Sequence, residues 1–156
     1  MTSLARSYSI ALSGLEGTPV EVQTHIGAGL VGTTLVGLPD ASLREAKERV
    51  RAALFSCGIS TLNRRITVNL SPADLRKTGS GFDAAIALSM LAARGEIPRT
   101  ALADVAFVGE LGLDGSWQGV PGALPAALAA QRAHFQTLVV PPAMAPQARL
   151  VEGLQV

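Results

Sequence analysis

The sequence predicts a single α/β (α+β) domain in which a mixed sheet packs with helices. Residues 20–26 alternate between apolar and polar side chains, which is typical of a half-buried strand. Residues 43–57 place apolar side chains at helical spacing, which is typical of an amphipathic helix. Strand-like and helix-like segments continue to follow one another, so residues 1–156 are expected to form one unit around one core.

The composition fits a folded domain and excludes several classes of protein. Of the 156 residues, 48% are hydrophobic and 16% are charged. This hydrophobic content excludes a disordered chain, and a single cysteine excludes a disulfide scaffold. The longest apolar run, residues 84–93, is about half of the ~20 residues that a membrane span needs. We therefore expect a cytoplasmic protein without a membrane partner.

Three strands are expected before the first helix, over Tyr8–Leu12, Val20–Ile26 and Leu30–Val36. The glycine-rich run 27–32 is expected to form the hairpin turn between the second and third of them. This run matches the pattern G-x-G-x-x-G, which in a dinucleotide site opens a helix. Because the run here joins two strands, the hairpin is the favoured interpretation.

Two helices with distinct surroundings are expected in the middle of the chain. Asp40 is expected to cap the first helix, because its carboxylate can accept from N–H groups of the first turn. Cys57 lies on the apolar face and is expected to be buried, and Gly58 is expected to end the helix. The second helix, Asp83–Ala93, is apolar all round and is therefore expected to be buried, with Asp83 as its N-cap.

The remaining elements are expected from the same signals of periodicity and turn chemistry. Trp117 is expected to pack against a hairpin whose Asp-Gly turn precedes it. The segments are a strand at Arg65–Leu70, a loop at Ser71–Gly81, a strand at Val105–Val108, the hairpin turn at Leu113–Ser116, a helix at Pro121–Ala133, a strand at Gln136–Val140 and a short helix at Ala143–Val151.

Basic residues are concentrated in the middle of the chain. Residues 40–77 contain eight Lys or Arg and four acidic residues, a net charge of +4, whereas the rest of the chain carries −3. A basic stretch of this kind indicates an anionic partner, or else it is the solvated face of a helix with alternating charges. Both interpretations stay open from the residues alone.

The sequence lacks the common signatures of nucleotide hydrolysis and metal binding. No segment matches G-x-x-x-x-G-K-[ST], so this chain is expected not to hydrolyse ATP by itself. His25 and His134 are far apart, and neither belongs to a Cys/His cluster, so no metal site is expected.

Several segments together carry a resemblance to a known family. They are Val36–Ala41, Arg44–Glu45 with Glu48–Leu54, Arg65–Leu75, Gly81–Asp83 with Ile86–Leu88, Gly109–Leu111 with Leu113–Gly115, and Gly119–Gly122 with Leu124–Ala127. In this order and at this spacing they resemble the N-terminal domain of the ComM/YifB family of magnesium-chelatase-like AAA+ ATPases. The likeness covers nearly the whole chain, which makes it far more specific than any single motif.

The resemblance implies a fold and a function. The fold implied is that of the Lon proteolytic domain, in the ribosomal-S5-domain-2-like class. The family's proteins continue into an AAA+ module that uses ATP and Mg²⁺. They act as hexameric helicases that drive branch migration of DNA in natural transformation. This chain is then the non-catalytic N-terminal domain, with no cofactor of its own. Its implied partners are single-stranded or branched DNA, its own AAA+ module and a homo-hexamer.

Older descriptions call such proteins ATP-dependent proteases or magnesium chelatase subunits. The protease interpretation can be tested by asking whether the sequence contains the residues of a catalytic dyad. A Ser-Lys dyad needs a Ser at the start of the buried helix and a Lys base beside it. When Ile86–Ala87 is aligned with the Lon proteolytic domain, Asp83 falls at the position of the nucleophile. Leu124–Pro125 then falls near the position of the dyad Lys. Ser80 lies in the preceding loop. We therefore expect a Lon-like fold without peptidase chemistry; the alternative is a Lon-like Ser-Lys peptidase domain, or the remnant of one, from an ATP-dependent protease. The sequence contains no cluster of His or carboxylate residues that would support the chelatase interpretation.

A non-catalytic domain attached to a DNA motor suggests DNA contact or organisation of the ring. Basic side chains would contact phosphates and add affinity without sequence specificity. The candidate phosphate ligands are Arg44, Lys47, Arg51, Arg64, Arg65, Arg76 and Lys77.

Overall fold

The computed structural model describes residues 3–60, 63–77 and 79–156. Strands and helices alternate along the chain as the sequence predicts. The strands are β1 (Ser3–Ser13), β2 (Glu16–Gly27), β3 (Gly32–Val36), β4 (Arg65–Ser71), β5 (Val105–Phe107), β6 (Glu110–Leu111), β7 (Trp117–Gln118) and β8 (Thr137–Val139). The helices are α1 (Asp40–Ser56), α2 (Asp83–Ala93), α3 (Ala123–Arg132) and α4 (Ala145–Ala148), with 3-10 turns at Arg99–Leu102 and Pro142–Met144.

Six strands form one mixed sheet, in the order β3-β4-β2-β1-β5-β8. A long antiparallel hairpin of β1 and β2 is its centre, with Ser3 opposite Ile26 at one end and Ser13 opposite Glu16 at the other. β4 pairs antiparallel with β2, whereas β3–β4, β1–β5 and β5–β8 are parallel pairs. The prediction of an α/β (α+β) fold with a mixed sheet is therefore confirmed. The closer likeness to the Lon proteolytic domain stays a prediction.

The glycine-rich run 27–32 does not form a hairpin, and that prediction was wrong. β4 lies between β2 and β3, so the run connects two strands that are not neighbours. β3 begins only at Gly32, and Leu30 and Val31 before it are exposed. Because β3 and β4 are parallel, they need a crossover, and α1 provides it. Pairing of this kind depends on residues far apart in sequence, which a local pattern does not show.

One face of the sheet packs against α1 and α2. The alternation in β2 has the expected cause, because Val20, Val22 and Thr24 are fully buried on this face. Two of the hydroxyl groups buried here have partners on α2, whereas the Ser9 Oγ is buried without a hydrogen-bond partner among the described residues. Thr24 Oγ1 lies 2.6 Å from Ser89 Oγ, and Ser7 Oγ donates to the Ala85 carbonyl at 2.6 Å.

The opposite face packs against α3 and α4 on the side of the sheet that contains β1, β5 and β8. Ile10, Ala126 and Leu138 are buried in this second cluster. Gly17 of β2 allows α3 to approach closely, since a Cβ at this position would lie 2.5 Å from the Ala129 Cβ. The Ala-rich sequence of α3 and this glycine therefore favour the same close helix–sheet contact.

Three predictions about residues at the helix ends were wrong. Pro39 occupies the N-cap of α1, so Asp40 is the first helical residue and not the cap. Phe82 likewise takes the N-cap of α2, in place of Asp83. Cys57 is the C-cap of α1, one residue beyond the last helical residue, and it is exposed, so the prediction of a buried cysteine was wrong. Gly58 then ends the helix as predicted, with φ +82°.

The later elements confirm the predicted types with shorter bounds. β6 and β7 pair antiparallel around Gly115, whose φ of +88° is what the Asp-Gly turn requires. Trp117 is half-buried and packs against the core, as expected. In the described part of the chain, no helix combines the length and apolarity needed to cross a membrane.

Candidate nucleic-acid interface and the Asp83 position

Asp83 joins three elements of the fold. It is the first residue of α2 and is 1% exposed. Arg49 of α1 donates to both carboxylate oxygens, from Nε to Oδ2 at 2.6 Å and from Nη2 to Oδ1 at 3.1 Å. The backbone N–H of Leu111 in β6 donates to Oδ2 at 3.1 Å. Asp83 therefore links α1, α2 and the β6–β7 hairpin, which is a different role from the expected N-cap.

The electrostatics of this pair follow from its burial. Burial raises the pKa of Asp83, and the hydrogen bonds from Arg49 and from the Leu111 N–H act in the opposite direction without cancelling it. The hydrogen bond to Asp83 in turn raises the pKa of Arg49. Glu110 adds negative charge that raises the pKa of both groups. A bidentate pair of this kind fixes geometry, and it occupies both oxygens of the carboxylate.

Ser80 lies in the turn before α2, as the sequence predicts, and it lines a small cleft of about 170 Å³. Gly79 and Phe82 on one side and Val120 and Pro121 on the other form its walls. Among the described residues that line this cleft, Ser80 alone has a hydroxyl group and none is ionisable. A serine nucleophile needs a base within hydrogen-bond reach, and this lining supplies none.

Lys77 is not an accessible cation, contrary to its place among the candidate phosphate ligands. Its side chain is 1% exposed, and Nζ donates to the carbonyls of Pro72 at 2.5 Å and Leu75 at 2.8 Å. Burial lowers the pKa of Lys77, and the nearby Asp74 acts in the opposite direction. Lys77 instead stabilises the loop between β4 and α2 through these two buried hydrogen bonds.

The other candidates stay at the surface. Arg44, Arg51, Arg64 and Arg76 are exposed, and Lys47 and Arg65 are half-buried. Arg51 pairs with Glu48 at 3.3 Å in a surface ion pair. Such a pair contributes little to stability and yields readily to a competing anion.

The structure divides these cations into separate groups. Arg44, Lys47 and Arg51 lie along α1, while Arg64 and Arg65 lie at the start of β4. Arg76 follows the opposite end of β4, which is seven residues long and so spans roughly 20 Å. Arg76 therefore lies apart from the cations at the start of β4.

Arg49 belongs to the basic stretch of the sequence, but the local pattern does not predict its pairing with Asp83. Its partner Asp83 lies 34 residues further along the chain, and no local pattern connects the two. In the residues that the structure describes, His, Cys, Asp and Glu side chains do not gather in groups of three or more that could hold a metal ion.

Residues 21–144 match the sequence model of the family described as subunit ChlI of Mg-chelatase. The chain belongs to this ChlI family. The ChlI-family chain is also 46% identical over 154 residues to an uncharacterized protein of Mycobacterium tuberculosis, which covers 99% of this chain and 31% of the relative. It is 43% identical over 137 residues to the competence protein ComM of Haemophilus influenzae, and 39% identical over the same length to the uncharacterized protein YifB of Escherichia coli.

The two latter matches cover 88% of this chain and 27% of each relative. The ChlI-family chain thus spans less than a third of the length of the relatives that it matches. These matches confirm the resemblance to the ComM/YifB family.

Proposed function

We propose that this ChlI-family domain is the non-catalytic N-terminal domain of a ComM-like AAA+ DNA helicase. The helicase would promote branch migration in natural transformation and recombination in the cytoplasm, with ATP and Mg²⁺ bound by the AAA+ module and a homo-hexamer as the working form. The observation that carries this proposal is the 43% identity to a competence protein over 88% of the chain. The domain's own part would be contact with DNA.

Exposed cations support the contact with DNA. Arg44 and Arg51 on α1 and Arg64 at the start of β4 present guanidinium groups to solvent. Contacts of this type to phosphates supply affinity that falls with salt, and they suit a motor that must move along any sequence. The proposed role of this domain is binding and not catalysis, so it requires neither a P-loop nor a Ser-Lys dyad in this domain.

The environment of Asp83 supports a non-catalytic domain and argues against a peptidase domain. The position that resembles the Lon nucleophile holds a carboxylate that is buried and bound by Arg49. A carboxylate in a bidentate pair cannot act as the hydroxyl that accepts an acyl group. The buried pair instead supports a structural role for this position.

A second function, organisation of the ring, is favoured by exposed apolar side chains. Leu30 and Val31 in the run 27–32 are 88% and 61% exposed. Phe55 and Leu113 are 71% and 62% exposed, on two segments joined by the hydrogen bond from Ser56 Oγ to the Leu113 carbonyl. Exposed apolar groups of this size are typical of contact surfaces, and in the proposed hexamer they would face the AAA+ module or a neighbouring subunit.

The DNA contact can be tested by fluorescence anisotropy with forked and single-stranded DNA at low salt. The variant Arg64→Glu/Arg65→Glu should bind about tenfold or more weakly than the wild type, because two phosphate contacts become repulsive. Arg132→Glu/Arg149→Glu, with the same change of charge elsewhere, should bind nearly as well as the wild type. Equal affinity of the wild type and the first variant would remove the start of β4 from the interface. If the wild-type chain binds no DNA at low salt, the organisation of the ring is the function that remains.

A further inference from the structure

A basic cleft of about 520 Å³ opens at the end of the sheet where β1 begins and α2 ends. Ile26 and Ala93 are buried and form part of its lining. Arg64, Arg94 and Arg99 line it as well. This volume is within the range of pockets that bind small ligands or parts of larger ones.

Arg99 is held in place by neutral acceptors. Its Nε donates to the Leu4 carbonyl at 2.7 Å, and its Nη2 donates to Ser3 Oγ. Neither acceptor neutralises the positive charge, and both fix the plane of the guanidinium. Since a guanidinium has five N–H donors, several donors of Arg99 stay available for a further partner.

Arg94 and Arg64 complete the charge of the cleft. Arg94 donates from Nη1 to the Ser60 carbonyl, and its Nη2 lies 3.5 Å from a carboxylate oxygen of Glu96. The single carboxylate of Glu96 offsets one of the three positive charges. Arg64 is exposed and forms no ion pair within the part of the chain that the structure describes. The cleft therefore carries a net charge of about +2.

The end of α2 acts against an anion in this cleft, because helix carbonyls carry partial negative charge. One of these carbonyls is already occupied, since Ser3 Oγ donates to the Ala93 carbonyl at 2.6 Å. Three guanidinium groups around one opening outweigh the partial charge that is left. The balance at the cleft therefore favours a ligand with more than one negative charge.

We propose that this cleft binds the phosphate groups of a single DNA strand. The proposal rests on the proposed contact with DNA and adds two residues, Arg94 and Arg99, that lie outside the basic stretch 40–77. Guanidinium forks match phosphate oxygens in geometry, and three of them around an open cleft suit successive phosphates of one strand. Outside the cleft, Arg65 continues the basic surface, with its stem 3.6 Å from where a side chain at Gly29 would begin.

Substitutions of opposite sign test this cleft by fluorescence anisotropy with a labelled single-stranded oligonucleotide at low salt. Arg94→Gln/Arg99→Gln should weaken binding about tenfold, and Arg64→Gln should weaken it about threefold. Glu96→Gln should tighten binding about twofold to fivefold, because it removes the carboxylate that pairs with Arg94. The controls are Arg132→Gln/Arg149→Gln and Glu152→Gln, which change the same charges on exposed residues outside the cleft.

The tightening by Glu96→Gln distinguishes a ligand site from a purely structural role of the arginines, which would not move affinity upward. Arg64→Gln keeps the hydrogen bonds of Arg94 and Arg99 intact, so it tests the cleft even if the double variant fails to fold. Equal affinities of the cleft variants and their controls overturn the cleft and leave the proposed function standing. Absence of any binding by the wild type overturns the proposed function as well.

Competition with sodium pyrophosphate tests whether the phosphate groups bound in the cleft belong to a DNA strand or to a free phosphate ligand. Displacement of the oligonucleotide by millimolar pyrophosphate, lost in Arg94→Gln/Arg99→Gln, supports recognition of phosphate in this cleft. Binding of pyrophosphate by a wild-type chain that does not bind the oligonucleotide overturns the assignment to a DNA strand.

Discussion

Arg49 and Asp83 form a bidentate ion pair that joins the middle of α1 to the first residue of α2, with 2.6 Å between Nε and Oδ2. The aspartate is buried, and the arginine side chain is 20% exposed. A pair of this kind is costly to bury and costly to break, because removal of one partner leaves the other without compensation. This property makes the pair a structural element that mutation can test.

Removal of the carboxylate should destabilise the domain. Asp83→Ala is expected to lower the free energy of unfolding by about 2–4 kcal/mol, since it leaves the Arg49 guanidinium and the Leu111 N–H without their acceptor. Asp83→Asn keeps an acceptor and should cost less. Urea denaturation followed by circular dichroism measures both. The control is Glu152→Ala at an exposed position, and a loss for Asp83→Ala no larger than that of the control would contradict the structural role.

The pH dependence of stability should carry the signature of Asp83. Burial raises the pKa of Asp83 in the folded state, so the folded chain holds this proton to a higher pH than the unfolded chain, whose aspartates titrate at about 3.9. Between the two pKa values the folded state binds more protons, and the free energy of unfolding therefore falls as pH rises through this window, which begins near pH 4. Asp83→Asn lacks this contribution. Urea denaturation from about pH 4 upward should show the wild type losing stability relative to Asp83→Asn; a relative gain would mean that Arg49 lowers the pKa of Asp83 below its ordinary value.

The connection from β3 to α1 should depend on a glycine at position 37. Gly37 has φ +101°, and a Cβ there would overlap the carbonyl oxygen of Leu70 in β4. Gly37→Ala is therefore expected to cost about 3–4 kcal/mol, from backbone strain together with the clash. Gly153→Ala is the matched control, because Gly153 has φ +80° but no atom within 4 Å of an added Cβ. Thermal denaturation of the two variants separates the clash from the strain, and equal losses would contradict the close approach to Leu70.

Lys77 should behave as a core residue. Lys77→Met keeps the length of the side chain and removes a buried charge, so DNA affinity should stay that of the wild type. The buried ammonium donates to the carbonyls of Pro72 and Leu75, and loss of these bonds is the cost to stability, about 1–3 kcal/mol. Anisotropy titration and urea denaturation measure the two effects. A fall in DNA affinity without a change in stability would show that Lys77 reaches the surface.

Local patterns predicted the elements well and their neighbours poorly. The alternation of Val20, Val22 and Thr24 predicted one buried face of β2, and Gly58 predicted the end of α1, because each depends only on nearby residues. The pairing of β3 with β4, and not with β2, depends on a crossover of more than twenty residues. A local pattern contains no information about it.

The candidate site shows the same division. Charge clustering found the exposed arginines of α1 and of β4, but it also chose Lys77, whose burial depends on how its loop folds back on Pro72. It missed Arg49, because the partner is 34 residues away, and it missed Arg94 and Arg99, which the sheet brings to Arg64 from a separate part of the chain.

We propose that this domain contacts DNA phosphates through its exposed arginines. The most direct measurement is fluorescence anisotropy of the chain with single-stranded and forked DNA across a salt series. We expect binding at low salt, with log affinity falling linearly with the log of the salt concentration. The slope should be about −0.7 for each phosphate contact on a single strand, so about −2 for three contacts. Absence of binding at the lowest salt, or affinity that does not change with salt, would contradict the claim.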